Sequence, residues 1–293
     1  MSVTVGEVKS PQVVSVGAHE ALPAAVVKME RLGLRRLPVV HGGRVVGIVT
    51  AGDVRRGLPR LGERPSAWDF TARVGRMRVE DVMRSPVLTA RVDEDLRPAV
   101  ARMLEARVGA LPVLDGNGTL VGMLTRGDVL RAEVRRPRLT WGSVAQHMNR
   151  EVQTVEAASP AADALARLRD TGLHVLPVLE GSHLVGVVHA RDLEAEAERE
   201  ALTRSGSAPE PAPLLEGTAV REVMRPPGGD LLDSAPMHRA VERMLEADVY
   251  GLPVVSEDGV LLGVVTVSDV LRTVLVGGRG EEGAEGRRSE AEG

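Results

Sequence analysis

A hydroxyl residue followed three positions later by an aspartate recurs along this chain, behind a glycine and two apolar residues. The three complete pairs are Thr50 with Asp53, Thr125 with Asp128, and Thr266 with Asp269. In this spacing a hydroxyl at a helix start accepts a backbone N–H, and the acid reaches back to the residue before the helix, which is a capping box. This interpretation needs no ligand, but it does not explain the glycine that precedes every copy.

Few other patterns in the sequence could support chemistry. The seven histidines show no metal-ligand spacing and the chain has no cysteine, so we expect no metal site. Neither a Gly-x-x-x-x-Gly-Lys phosphate loop nor a Gly-x-Ser-x-Gly nucleophile turn occurs. The sequence therefore predicts no catalytic residues and a protein that is not an enzyme.

The same succession of predicted elements surrounds every copy of the motif. A helix comes first, because apolar residues recur three and four positions apart, in the second unit at Leu96, Val100, Met103, Leu104 and Val108. A short Leu-Pro-Val strand follows, and three of its prolines are Pro38, Pro112 and Pro253. A turn and a second strand then form a hairpin, and the motif aspartate opens another helix.

Short extended segments ahead of each first helix complete a β-α-β-β-α unit. We expect these opening strands near residues 13–14, 86–89, 152–155 and 231–232. Capping residues predict two helix starts, at Asp93 in the second unit, and at Ser159 with Pro160 in the first helical position in the third. The predicted fold class is therefore α/β (α+β), with four such units.

Shifts in composition divide the chain between these units. We predict units over residues 1–60, 77–136, 140–204 and 214–276. The segments 55–76 and 205–213 are predicted linkers because proline, glycine, arginine and small residues accumulate there. The tail over 277–293 is almost free of apolar residues, and we expect it to be disordered.

The composition limits the possible functions. Of the 293 residues 43% are apolar but only 1% aromatic, so the core must be aliphatic. Scarce aromatic side chains and a net charge of -4 argue against a nucleic-acid partner. The N-terminus lacks the basic and apolar regions of a signal peptide, and no apolar run approaches a membrane span. We therefore expect a cytoplasmic protein that does not contact a membrane.

Taken together, the repeated patterns resemble those of the cystathionine-β-synthase (CBS) domain family. The resemblance rests on Leu-Pro-Val followed by Gly-apolar-apolar-Thr-x-x-Asp, and on segments that resemble the family's unit openings, Val79-Glu80-Asp81-Val82-Met83 and Val220-Arg221-Glu222-Val223-Met224. It covers about residues 1–276. Units of this family pair into Bateman modules, so four units imply two modules, over residues 1–136 and 140–276.

The resemblance implies clefts that bind an adenosine-type ligand such as AMP, ADP, ATP or S-adenosylmethionine. In such sites the motif aspartate accepts hydrogen bonds from both ribose hydroxyls, which suits a carboxylate with two acceptor oxygens. The hydroxyl residue contacts the α-phosphate at a helix N-terminus, and the adenine lies near the Leu-Pro step. The candidate binding residues, carried over by position, are Thr50, Asp53, Thr125, Asp128, Thr266, Asp269, Asp192, Pro38, Pro112 and Pro253.

Two positions depart from the simple pattern. Arg126 adds a cation beside the second phosphate position, or else is a solvated arginine at a helix start. In the third unit His189 stands where the hydroxyl residue belongs, although Asp192 and Arg191 remain. For this unit we favour a site that has lost its nucleotide and kept its fold.

The resemblance favours a regulatory protein that senses a nucleotide and signals through rearrangement of its units. Its partners would be the small-molecule nucleotide, a second copy of the chain or the pairing of its own two modules, and an unidentified effector protein. One alternative is a ligand-free scaffold in which Thr-x-x-Asp only caps helices. The other is an enzyme with a nucleotide-linked active site, which is disfavoured because no nucleophile, base or metal site accompanies the motifs.

Overall fold

The computed structural model describes residues 3–57, 74–135, 141–173, 175–204, 215–227 and 231–276. The chain divides into two compact halves, Met1–Ala132 and Glu133–Gly293. Each half contains two copies of the predicted succession of elements, numbered here as units one to four. The predicted tail over 277–293, the predicted linker over 205–213 and positions 58–73 of the other predicted linker lie outside the described residues.

In the first half, two units follow a short helix, α1 (Val5–Val8). Unit one contains β1 (Val16–Gly17), α2 (Leu22–Arg31), β2 (Arg36–His41), β3 (Arg44–Thr50) and α3 (Ala51–Gly57). A 3-10 turn over Val79–Asp81 precedes unit two. Unit two contains β4 (Ala90–Arg91), α4 (Leu96–Glu105), β5 (Ala110–Leu114), β6 (Leu120–Thr125) and α5 (Arg126–Val134).

The second half repeats this order after a 3-10 turn over Val144–Gln146. Unit three contains β7 (Val155–Glu156), α6 (Ala161–Thr171), β8 (Val175–Glu180), β9 (His183–His189) and α7 (Ala190–Arg204). A short helix, α8 (Val220–Val223), precedes unit four. Unit four contains β10 (Leu231–Leu232), α9 (Met237–Glu246), β11 (Gly251–Val255), β12 (Leu261–Thr266) and α10 (Val267–Val276).

Each unit contains one three-stranded sheet with the Leu-Pro-Val strand in the centre. The opening strand pairs parallel to this central strand, as Ala90 does with Val113. The next strand returns antiparallel as a hairpin, with Leu111 opposite Leu124. The predicted hairpins and the α/β class are confirmed.

The opening strands and two helix starts differ from the sequence predictions. Each opening strand is only two residues long, and three of the four lie nearer their helix than predicted, because pairing with the central strand sets their position. The cap of α4 is Asp95, which accepts the Arg97 N–H at 2.9 Å, and Asp93 pairs with Arg91 instead. Pro160 is the N-cap of α6 and not its first helical residue.

The core of each unit is aliphatic, as the composition predicts. In unit one, Leu22 and Met29 of α2 pack with Leu37, Val39 and Val49 of the hairpin. These side chains alternate along the strands and recur at helical spacing, so one face of each element is buried. Among the described residues, no helix has the length and apolar character needed to cross a membrane.

Within each half, the segment that precedes one unit packs into the other unit. Val79, ahead of unit two, is fully buried in the core of unit one. Arg84 and Ile48 of β3 exchange backbone hydrogen bonds of 2.9 and 3.1 Å. Reciprocally, Ser10, ahead of unit one, exchanges bonds of 2.9 and 3.2 Å with Met123 of β6. We call these stretches the exchanged segments, residues 4–10, 78–84, 143–149 and 219–225.

The exchange explains the glycine that precedes every motif. A Cβ placed on Gly122 would lie 2.9 Å from the Ser10 carbonyl oxygen. At Gly186 and Gly263 it would lie 2.8 and 2.7 Å from the carbonyl oxygens of Arg225 and Asn149, closer than real Cβ atoms approach backbone. The glycine is therefore required by a neighbouring backbone, whether or not a ligand binds.

We expect Gly122→Ala to destabilise the first half by about 1–3 kcal/mol, because the added methyl group forces the exchanged segment away from β6. Gly116→Ala in the turn of the same hairpin is the matched control, since no atom lies within 4 Å of its added Cβ. That control should change the free energy of unfolding by less than about 0.5 kcal/mol. Equal effects of the two substitutions in urea denaturation would contradict this role of the glycine.

Candidate functional site

Unit two shows how the chain builds the hydroxyl–aspartate pair. Strand β6 ends at Thr125 and α5 begins at the next residue, so Asp128 lies in the first helical turn. Thr125 donates to Asp128 Oδ2 from its backbone nitrogen at 2.8 Å and from Oγ1 at 2.6 Å. The Asp128 N–H donates in return to Thr125 Oγ1 at 3.1 Å. This is the capping box that the local pattern indicates.

Units one and four repeat the pairing. Asp53 Oδ2 accepts the backbone N–H and hydroxyl of Thr50 at 3.0 and 2.5 Å, and Asp269 Oδ2 accepts those of Thr266 at 2.8 and 2.7 Å. Asp53 and Asp128 are 5% exposed and Asp269 is 9% exposed. A buried carboxylate is costly unless its oxygens are hydrogen-bonded. The cap satisfies one oxygen, Oδ2, in all three units.

The other oxygen, Oδ1, accepts from side chains that the capping box does not involve. An arginine one turn further along each helix donates to it: Arg56 to Asp53, Arg131 to Asp128 at 2.7 Å, and Arg272 to Asp269 at 2.6 Å. Two exchanged segments add donors from the neighbouring unit, Arg84 to Asp53 at 2.7 Å and Ser10 to Asp128 at 2.9 Å. Sequence reasoning missed these partners.

The surroundings of Asp53 keep it ionised. Burial alone would raise the pKa of its carboxyl group, but the hydrogen bonds from Thr50, Arg84 and Arg56, with the charge of Arg84, lower the pKa below its usual value. The carboxylate therefore remains an acceptor throughout the neutral pH range.

Unit three has lost the capping box. Asp192 Oδ1 accepts Arg225 Nη2 from the exchanged segment at 2.6 Å. Its Oδ2 is buried and has no hydrogen-bond partner among the described residues, whereas a threonine binds this oxygen in the other units. Burial lowers the pKa of His189 below its usual value, and the charges of Arg191 and Arg225 lower it further, against the opposite effect of Asp192.

The prolines lie beside the point where the exchanged segments attach. Pro112 is opposite Met123 in the hairpin, while the backbone groups of Met123 bond to Ser10 on the other side. Because those groups face away from the proline, its missing N–H costs the hairpin no hydrogen bond. Pro38 and Pro253 have the same arrangement, opposite Ile48 and Val264.

In units one, two and four the structure places the proline, threonine and aspartate candidates of the unit on one hairpin and at one helix start. Arg126 is half-buried at the start of α5, and its backbone N–H donates to the Gly109 carbonyl oxygen at 3.2 Å. The arginines at Asp-x-x-Arg spacing could have been found in the sequence, since they recur in three of the four copies. Arg84 and Arg225 also recur, each directly after the methionine of a repeated opening segment, whereas Ser10 has no such signal. Only the exchange shows which aspartate each of the three side chains reaches. The described residues contain no group of three or more side chains suited to a metal.

The sequence matches a family model described as "CBS domain" in four segments, residues 5–60, 79–135, 142–197 and 220–276. The protein MJ1225 of Methanocaldococcus jannaschii is 25% identical over 276 residues, which are 90% of this chain and 96% of that protein. Its crystal structure has a TM-score of 0.74 at 23% identity and covers 93% of this chain and 100% of its own.

Two further proteins illustrate the range of the similarity. The crystal structure of a conserved protein from Pyrococcus horikoshii has a TM-score of 0.67 at 22% identity, covering 92% of this chain and 99% of its own. At such identities the likeness of the two crystal structures shows a shared fold alone. An inosine-5'-monophosphate dehydrogenase from Korarchaeum cryptofilum is 29% identical over 208 residues, which are 70% of this chain and 36% of that enzyme.

We expect His189→Thr to stabilise the second half by about 0.5–2 kcal/mol, because a threonine restores the cap that Asp192 lacks. The substitution should also change the pH dependence. Because the pKa of His189 is lowered in the folded chain, the unfolded chain takes up the proton more readily, and wild-type stability falls as the pH drops below about 6.5. Thermal unfolding of the variant should be less sensitive to pH below about 6.5.

The matched control is His183→Thr, the same substitution at the exposed start of the same strand, β9. It should leave the melting temperature close to that of the wild type, because this position is exposed. An unchanged melting temperature in His189→Thr, at every pH from 5 to 7.5, would contradict the assignment of a missing cap.

Proposed function

Since the chain belongs to the CBS domain family, we propose that it is a regulatory protein that binds adenosyl nucleotides in clefts of its units and performs no catalysis itself. The ligand class is that of AMP, ADP, ATP and S-adenosylmethionine. The proposed binding residues are the threonine, aspartate and proline of units one, two and four. These units correspond to the predicted boundaries 1–60, 77–136 and 214–276.

The observation that carries this proposal is the separate use of the two aspartate oxygens. Oδ2 is committed to the helix cap, whereas Oδ1 is held by arginines whose side chains are 53–66% exposed. An arginine whose side chain is mostly exposed can return to water when it leaves the carboxylate, because water and salt screen its charge there. A vicinal diol can therefore replace the arginine on Oδ1 at little cost, while the cap stays in place.

The exchanged segments supply a route for the signal. Asp53 and Asp128 each belong to one unit and receive Arg84 or Ser10 from the other. A ligand that competes for Oδ1 changes these contacts between the units, and so shifts the equilibrium between their arrangements. The shift can be no larger than the difference in the ligand's affinity for those arrangements. The partner that reads it would be an effector protein, a second copy of the chain or the other module.

In unit three we propose that no nucleotide binds. His189 cannot supply the hydroxyl group, and Arg225 donates to the remaining acceptor, Asp192 Oδ1. The unit keeps its core, in which Leu176, Val178 and Val188 are fully buried. It would then contribute stability to the second half and leave binding to unit four.

The second candidate function is a ligand-free scaffold. The complete capping boxes of units one and two favour it, because they account for the threonine and the aspartate without any ligand. The scaffold predicts that loss of the aspartate lowers stability and changes no nucleotide-dependent property. Direct binding measurements separate the two functions.

We expect the full chain to bind at least one of AMP, ADP, ATP and S-adenosylmethionine in isothermal titration calorimetry. Asp128→Ala should weaken binding in unit two by about 1.5–3 kcal/mol, the contribution of a hydrogen bond to a charged group. Because Asp128 also caps α5, the variant loses stability as well. Titrations therefore belong at a temperature where circular dichroism shows both proteins folded.

Asp93→Ala is the matched control, since it removes the same charge from an exposed position in the same unit. It should bind every ligand like the wild type. If Asp128→Ala is folded and binds with unchanged affinity and stoichiometry, the role of the aspartate in binding is wrong. If no ligand binds the wild type, the scaffold is the better account.

A further inference from the structure

We propose that Arg56 and Arg131 are switchable phosphate ligands that decide which adenosine compounds the first half prefers. In the structure each guanidinium group donates to Oδ1 of the motif aspartate. When ribose hydroxyls take that oxygen, the released guanidinium group binds the phosphate of the same ligand. This inference rests on the proposed function and adds to it the group that recognises phosphate.

The first step is that the arginine can leave its aspartate. Arg131 Nη2 lies 2.7 Å from Asp128 Oδ1, but the arginine side chain is 53% exposed and the aspartate 5%. The carboxylate is fixed by its cap, whereas the guanidinium group is held at its exposed end by this one ion pair alone among the contacts described for it. A ribose hydroxyl that donates to Oδ1 therefore displaces the arginine and leaves the aspartate in place.

The second step is that the guanidinium group already lies next to the phosphate position while it is paired with the aspartate. A Cβ placed on Gly127 would lie 3.4 Å from Arg131 Nη1 and 3.7 Å from Thr125 Oγ1. At Gly52 the corresponding distances to Arg56 Nη1 and Thr50 Oγ1 are 3.3 and 3.6 Å. The hydroxyl and the guanidinium groups thus border the same space above the first helical turn, which the glycine leaves open. A phosphate there can bond to both.

The pattern Thr-x-Gly-Asp-x-x-Arg is confined to units one and two. Unit four has Arg272 paired with Asp269 at 2.6 Å, but Ser268 stands at the glycine position. Unit three has Arg191 at the glycine position and Ala195 in place of the arginine. The chain therefore contains two sites with the open space and the arginine, one with the arginine alone, and one with neither. We therefore expect units one and two to prefer a phosphorylated ligand.

The test compares AMP with adenosine, which differ only in the phosphate group, by calorimetry on the full chain. In the wild type, AMP should bind more tightly than adenosine. In the double variant Arg56→Gln with Arg131→Gln, the affinity for AMP should fall about tenfold, because a charge-assisted hydrogen bond to phosphate is lost. The affinity for adenosine should stay the same or rise, because one competitor for Oδ1 is removed in each unit and only Arg84 or Ser10 still donates to that oxygen.

The matched control is Arg91→Gln, which removes a charge from an exposed pair with Asp93 in the same half. It should leave both affinities unchanged. Gly127→Ala provides a second test, since alanine favours the helix while its methyl group enters the space between Thr125 and Arg131. This substitution should weaken the binding of AMP without lowering the melting temperature.

The possible results distinguish failure of the proposed function from failure of this inference alone. If neither compound, nor ADP, ATP or S-adenosylmethionine, binds the wild type, the proposed function and this inference are both overturned. If the wild type binds adenosine and AMP equally, or the double variant keeps the wild-type ratio of the two affinities, only the inference is overturned. A ratio that falls in the double variant but not in Arg91→Gln supports it.

Discussion

The contact on which the rest of this structure depends is the backbone pairing between an exchanged segment and the second strand of the neighbouring hairpin. In the first half, Ser10 bonds to Met123 and Arg84 bonds to Ile48. Each pairing lies beside a glycine that has no room for a side chain and opposite a proline that needs no bond there. Neither unit of the half is complete alone, since each depends on a segment that precedes its partner. The glycine and proline of the repeated pattern are thus explained by packing.

The motif aspartate serves two purposes because its two oxygens face different partners. In units one, two and four the cap occupies Oδ2 and orients the carboxylate, and Oδ1 remains for arginine side chains that reach it from the surface. Capping and ligand binding therefore do not exclude each other, although the local sequence pattern presents them as alternatives. A cap that fixes the carboxylate also reduces the entropy that a ligand would otherwise lose in ordering it.

Unit three shows what the fold tolerates when the motif decays. Its threonine position holds His189, Asp192 Oδ2 is buried without a partner among the described residues, and Arg225 still donates to the other oxygen. The aliphatic core and the exchanged segment are nevertheless retained, and Val220 is fully buried there. The fold thus depends on the glycine, the strands and the apolar faces, while the hydroxyl group and the cap that it forms with the aspartate can be lost.

The sequence alone determined the elements of each unit and the local part of the candidate site. Periodicity set the first helices and the hairpins, because one face of each element must be apolar, and the spacing of Thr125 and Asp128 defined the cap, because those contacts are local. Three of the four opening strands lie nearer their helix than the sequence predicts, because pairing with a distant strand, and not propensity, decides where so short a strand lies. The predicted cap at Asp93 is wrong, since Asp95 caps that helix. Ser10, Arg84 and Arg225 could not be assigned to any site from the sequence, because they reach an aspartate of the other unit, up to 118 positions away in the case of Ser10. The unit into which each exchanged segment packs is decided by long-range contacts, so only the tertiary structure shows it.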